Sequence, residues 1–149
     1  MSGFSANLQG FAQLQQRMNQ LSKAEATKAG QIANRAGAAV IAKKAKANAP
    51  VSNVAEGATI TRNNKGGSTR TEKHRKIQNW IKVRKTKGDT PTQVHNAVSV
   101  EAYQSQWVEF GSIRNAPKPF LRTAFESNNQ EIIDAMAKVL NRQLVKRGV

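Results

Sequence analysis

The 149 residues contain no cysteine, so neither a disulfide nor a thiolate metal site can form. That fits a reducing compartment. Acids are scarce as well: nine Asp and Glu stand against 24 Lys and Arg, giving a formal net charge of +15. Acid/base catalysis on a glycosidase pattern needs two carboxylates held together. Glu101 and Glu109 lie near a strand end, and nothing in the sequence draws them into a pair. The two histidines, His74 in a basic stretch and His95 at an outward strand position, make no metal-ligand spacing. "NNKGGST" has glycines and a lysine but not the spacing of a phosphate-cradling loop, and no G-x-S-x-G occurs. No helix-turn-helix, finger or RRM-type motif is visible for reading bases. No apolar run approaches the roughly 18 residues that span a bilayer. "MSGFSANLQGF" has no basic segment followed by an apolar core, so no signal peptide is expected, and the protein is expected to be made and kept in the cytoplasm. These absences predict a chain without catalytic residues, cofactor or metal.

Alanine is what the chain has in quantity. The hydrophobic fraction is 38%, and 21 of those residues are Ala. Alanine buries little area, so the core is thin for a single domain spanning 1–149. A thin core leaves apolar surface for copies of the chain or for other proteins. Phe4, Leu8, Phe11, Leu14, Met18 and Leu21 recur at steps of three and four, the stripe of an amphipathic helix. From Ala24 to Ala49 a second helix carries a shallow stripe of Ala29, Ile32, Ala36, Val40 and Ala47. Gly30 and Gly37 each cost this helix about 1 kcal/mol relative to Ala, which a close helix contact would offset. Pro50 ends it, because the residue before a proline is pushed out of the α region.

The middle of the chain is β-like. "EGATITR" is short and β-branched, and 63–76 reads as a flexible basic loop. "IQNWIKVRK" and "VHNAVSVEA" alternate, with Ile77, Ile81 and Val83 on one face of the first and Val94, Val98 and Val100 on one face of the second. About three strands in a small antiparallel sheet, resting on the helices, are predicted. Past Gly111 a long last helix is expected, with Pro119 in its first turn. The fold class is α+β: N-terminal helices, a small antiparallel sheet and a long C-terminal helix.

Positive charge is focused in the middle. Residues 60–90 hold ten basic side chains, Arg62, Lys65, Arg70, Lys73, Arg75, Lys76, Lys82, Arg84, Lys85 and Lys87, against Glu72 and Asp89, a net +8. Such a segment attracts polyanions. Trp80 lies among these cations and could stack on a base. The alternative is that Trp80 packs on a neighbouring subunit or on lysine stems, and that the charges form a solvated arm.

The aromatics concentrate between Tyr103 and Phe125. Tyr103 and Trp107 are spaced as neighbours on one helical turn. Gly111 permits a turn that a side chain would block. Pro117 and Pro119 set the direction in which the last helix starts, and Phe120 and Phe125 can pack onto the sheet or an adjacent chain. Each device positions a helix, and none supplies a nucleophile. Glu109 reads as a partner for an Arg or for backbone amides.

The run Tyr103, Val108, Glu109, Phe110, Gly111, Ser112, then Ala116, Pro119, Phe120, Leu121, Arg122, Ala124, Phe125 and Glu126 resembles a signature of one phage family. This is the gene-product-ten-like tail-completion or neck proteins of lambdoid and other long-tailed phages, of the Hong Kong phage type. The order of helices, strands, signature and last helix is similar too. Where the family often shows Thr-Gly-x-Leu after the Ala-Pro, this chain has only Gly57 and Ile60, and its basic insert is long.

The resemblance implies a non-enzymatic virion protein of the neck or head-proximal tail end, acting late in assembly. By analogy with other neck components it implies a homo-oligomeric ring, six copies being expected, that meets tail-terminator, tail-tube or connector proteins. Tyr103, Trp107, Glu109, Phe110, Gly111, Pro119, Phe120, Arg122 and Phe125 are the expected subunit or partner contacts. The ten basic residues and Trp80 are the expected contacts to packaged DNA or to an acidic protein face. The competing reading is a sequence-nonspecific nucleic-acid-binding protein.

Overall fold

A first short helix, Phe11–Asn19 (α1), leads through Ser22 into the longest helix of the fold, Lys23–Asn48 (α2). The computed structural model describes residues 10–90 and 93–148, so Phe4 and Leu8 of the predicted stripe lie outside the described residues. Ser22 and Glu25 form a reciprocal cap: the Ser22 hydroxyl accepts from the Glu25 amide and donates to its carboxylate at 2.7 Å. The helix stops where Pro50 requires, with Ala49 already extended at φ −65° and ψ 133°.

α2 is the spine on which the other layers pack. Its buried face is Ala29, Ala33, Gly37, Ala38, Ala42 and Ala45. This differs from the predicted stripe: Ile32 and Ala47 are exposed, and Val40 is only half-buried. The physical reason is distance. The last helix, Asn129–Lys146 (α5), lies so close that a Cβ on Gly37 would sit 2.7 Å from Met136 Cγ and 3.2 Å from Ile132 Cγ2. Only small residues fit on that face, and the larger ones turn away from it. α1 lies against α5, where Arg17 donates to Asn141 Oδ1 at 2.7 Å.

The strands form two separate antiparallel pairs rather than one sheet. Ile81–Lys85 (β3) pairs with Asn96–Val100 (β4), placing Ile81 opposite Val100 and Val83 opposite Val98. Those four side chains face the helices, and Lys82 and Arg84 point outward, as the alternation predicts. Ile77 and Trp80 belong to a one-turn 3-10 helix ahead of β3. The other pair is Thr59–Asn63 (β1) with Thr69–Lys73 (β2). Thus 63–76, which reads as a loop, contains a strand. β2 reads Thr-Arg-Thr-Glu-Lys and has no apolar alternation to reveal it, because neither of its faces is buried.

The C-terminal part also breaks where one long helix is expected. Leu121–Glu126 (α4) ends at Ser127, and α5 restarts after Asn128. The Asn128 side chain donates to the Ala124 carbonyl at 3.0 Å, the kind of local bond by which Asn and Ser compete with helix continuation. Within α5, Glu131 lies in the first turn and Lys146 in the last, the order that suits the helix dipole.

The core is thin, as the composition implies. Among the described residues eight of the thirteen buried apolar side chains are alanine, and the largest fully buried ones are Phe120, Ile81 and Leu144. Phe120 is 1% exposed and packs among Ala42, Ala45, Ala49, Ile81 and Ala124, whereas Trp107 is 42% exposed. Phe120→Ala should therefore cost about 3–5 kcal/mol in urea unfolding. Trp107→Ala should cost much less, and equal losses would show that burial does not set the hierarchy.

Asp89 fastens the β3–β4 connection to α2. Its carboxylate accepts from the His95 amide and from the Gln31 side chain, both at 2.8 Å. The His95 amide, then Gln31, then the charges of Lys85 and His95 hold its carboxyl below the ordinary aspartate value. A lowered folded-state pKa stabilises the fold above the unfolded value near pH 4, and this stability is lost as the pH falls through the folded value. Asp89→Asn should therefore melt below the parent protein at neutral pH. The gap should close on acidification below about pH 4. A gap that is constant with pH would assign the loss to shape rather than charge.

Candidate interaction site

The chain turns a corner between a short helix, Ser105–Phe110 (α3), and α4. Tyr103 and Trp107 stack edge to face at its start, with centroids 4.6 Å apart and planes at 84°. Gly111 has φ 83°, and a Cβ there would meet Pro117 N and Cδ at 3.0 Å. Only glycine takes both that conformation and that contact. The finger that follows closes at Ser112 and Asn115, which exchange backbone hydrogen bonds of 2.9 and 3.2 Å. The finger returns when the Lys118 amide donates to the Val108 carbonyl at 2.7 Å.

Glu109 holds the corner together. Its carboxylate accepts from three successive amides: Phe120 and Leu121 on Oε2 at 2.8 and 2.9 Å, and Arg122 on Oε1 at 2.8 Å. These amides open α4 and have no partner within the helix. Glu109 thus caps a helix from eleven residues upstream, and its negative charge sits at the positive end of that helix. The Phe120 ring is driven into the core by the same geometry. Of the two partners expected for Glu109, it takes the backbone amides.

Beside the corner lies an apolar groove of about 850 Å³ bounded by α2, β4, α3, α4 and α5. Gly37, Ala38, Ile132 and Ile133 in its lining are buried, and Phe110 and Phe125 in its lining are exposed. The residues expected to make contacts therefore divide. Tyr103, Trp107, Phe110, Pro119, Arg122 and Phe125 are exposed; Phe110, Arg122 and Phe125 line the groove, and Tyr103 lines a separate cleft beside the β1–β2 ribbon. Glu109, Gly111 and Phe120 serve the corner itself, and Phe120 has no surface to offer a neighbour. Ile113, which is absent from the expected contacts, is fully exposed at the finger tip. Its signal is an isoleucine between turn-forming residues.

The basic residues do not form one patch. Arg62, Lys65, Arg70 and Lys73 lie on the β1–β2 ribbon, where only Ile60 and Glu72 are partly covered. Glu72 pairs with Arg62 at 2.8 Å and is within 4.0 Å of Arg70. On the β3–β4 pair, Lys82 and Arg84 both meet Glu101, and Lys85 approaches Asp89 at 3.7 Å. Arg75 lies over the Trp80 ring at 5.2 Å, so a guanidinium covers one face of the indole. Lys87 is exposed in the β3–β4 connection, and the Lys76 amide donates to Glu56 at 2.8 Å. Among the described residues no cluster of three or more His, Cys, Asp or Glu could hold a metal, and no helix is long and apolar enough to cross a membrane.

Glu109→Ala strips three amides of their acceptor. The loss should be roughly 2 kcal/mol in urea unfolding, the range of hydrogen bonds to a charged group. Glu109→Gln, which keeps one oxygen acceptor, should lose less. If Glu109→Ala is neutral, the corner does not depend on this carboxylate.

Among known proteins, a family model matches residues 12–111, from α1 to the glycine of the corner. It is HK97-gp10_like, described as "Bacteriophage HK97-gp10, putative tail-component". No curated protein and no solved structure matches the chain. The match covers two thirds of the sequence and includes Val108, Glu109, Phe110 and Gly111 of the corner, and on it the chain belongs to the HK97-gp10-like family of bacteriophage tail components.

Proposed function

We propose that the chain is a non-catalytic structural subunit that completes the tail and joins it to the head. In this reading, copies assemble as a ring around the DNA path at the neck or tail terminus of a long-tailed virion, six copies being the expected number. The observation that carries it is the division of the surface. One surface presents an apolar groove with Phe110 and Phe125 exposed in its lining, and the β1–β2 ribbon presents cations on a strand pair that covers no core. The apolar side suits neighbouring subunits and tail or connector proteins. The ribbon suits packaged DNA or an acidic protein face, and DNA carries one charge per roughly 1.7 Å of duplex. A heterologous contact that closes on itself makes a ring.

The second reading is a sequence-nonspecific nucleic-acid-binding protein, favoured by the exposed cations of the ribbon and by Lys87. Salt-titrated DNA binding separates the two. A nucleic-acid-binding protein should hold duplex DNA strongly as a free subunit, and its affinity should fall by about three decades between 50 and 200 mM salt. A ring subunit should bind DNA weakly alone and join tail or neck partners in particles. Replacing Arg62, Lys65, Arg70 and Lys73 by Gln should lower the salt slope by about one for each phosphate contact removed. Mature particles that lack the polypeptide would exclude the structural role.

A further inference from the structure

The side of α2 turned away from its buried alanines carries a row of positive charge. Lys28, Ile32, Arg35, Ala39, Lys43 and Lys46 follow one another at steps of three and four, so they share one side of the helix. All six are exposed. From Lys28 to Lys46 the row runs for about 27 Å, at 1.5 Å per residue. Its four cations enter no salt bridge among the described residues, whereas Lys44, off the row, is held by Glu131 at 2.6 Å. The one acid of α2, Glu25, lies a turn before Lys28, and its carboxylate accepts from the Ser22 hydroxyl. Four cations less that acid still leave the face at +3. On the β1–β2 ribbon, by contrast, Glu72 lies within reach of both Arg62 and Arg70, so part of the ribbon charge is already spent.

The chemistry of the row selects its partner. Three of the four cations are lysines, and α2 has no aromatic residue. Protein interfaces are enriched in aromatics and depleted in lysine, so the row is a poor contact for a neighbouring protein. Without an aromatic it cannot stack the bases of a single strand. Only Ile32 and Ala39 stand between the cations, and neither reads the polar edges of base pairs. A duplex backbone suits the row, because its charge recurs every roughly 1.7 Å and meets a line of cations at any register. The helix beneath is fixed by its close packing on α5, so binding orders side chains alone.

We infer that the outer face of α2 binds the phosphate backbone of duplex DNA, without reading its sequence, through Lys28, Arg35, Lys43 and Lys46. In the ring of the proposed function α2 then lines the channel. That placement rests on the ring reading, whereas the contact itself does not.

Lys28→Gln, Arg35→Gln, Lys43→Gln and Lys46→Gln together leave the buried face of α2 untouched. Glutamine is a good helix former, so this fourfold variant should keep the parent melting temperature. Binding of the full chain to a duplex of arbitrary sequence is measured from about 50 to 200 mM salt. The slope of log affinity against log salt should fall by about three to four in the fourfold variant. Arg35→Gln alone should lower it by about one. Lys28→Arg, Lys43→Arg and Lys46→Arg together should keep it. Removing the same charge from the ribbon, at Arg62, Lys65, Arg70 and Lys73, should lower it less. Equal losses from helix and ribbon would overturn the inference, because the net charge of the chain would then hold the DNA. A parent chain that binds no duplex at about 50 mM salt would overturn it too. So would a fourfold variant that binds DNA as the parent does but no longer joins tail proteins, since the face would then be a protein contact. The chain has no native cysteine, so Ala39→Cys can carry a photoreactive label in the middle of the row. In assembled particles that label should attach to DNA, and attachment to protein alone would overturn the placement of α2 along the channel. Particles without the polypeptide would overturn the ring, and the salt slopes would still decide the contact.

Discussion

The close approach of α5 to α2 at Gly37 is the constraint from which the rest of the architecture follows. It obliges α2 to be lined with alanine. A helix with so flat a face can be packed from several sides, and α4, α5 and the β3–β4 pair share it. The same flatness limits how much large apolar area the chain can bury by itself. Groove and exposed aromatics are the remainder that a spine of small side chains leaves uncovered.

The corner converts this packing into a directed surface. A carboxylate on α3 satisfies the first amides of α4, and one ring, Phe120, is committed to the core as a result. Neighbouring aromatics on the same stretch stay outside, Phe110 well exposed and Phe125 46% exposed. A single short stretch thus commits some residues to internal stability and leaves others exposed at the surface. Family membership accounts for the corner as far as Gly111, where the match ends. Across Pro119, Phe120 and α4 the roles follow from hydrogen bonding and burial alone.

Much of this was legible in the sequence. The apolar alternation of β3 and β4 exposed both strands because one face of each is covered. Pro50 marked the end of α2, and the spacing of Tyr103 and Trp107 gave their pairing. Gly111 was legible because a turn before a proline needs its freedom. What could not be read has a common cause: the information lay in tertiary distance. Nothing local to Ile32 says that it turns outward, since that depends on how near α5 comes. β2 carries no period because it buries neither face, and the halt at Ser127 depends on an asparagine side chain choosing a carbonyl. The division of the contact residues between core and surface depended likewise on Glu109 finding amides eleven positions away.

The β1–β2 ladder continues past its strands, where the Gly57 amide donates to the His74 carbonyl, the His74 amide donates to the Ala58 carbonyl, and Glu56 accepts from the Lys76 amide, and Ile60, Arg62, Glu72 and Lys73 share a cleft with Trp80 and Tyr103. Its far turn, Asn64 to Ser68, is exposed throughout. Residues added or removed there in cross-strand pairs would lengthen or shorten the ladder without touching one buried side chain. The length of the ribbon can in that sense vary while the alanine spine stays as it is.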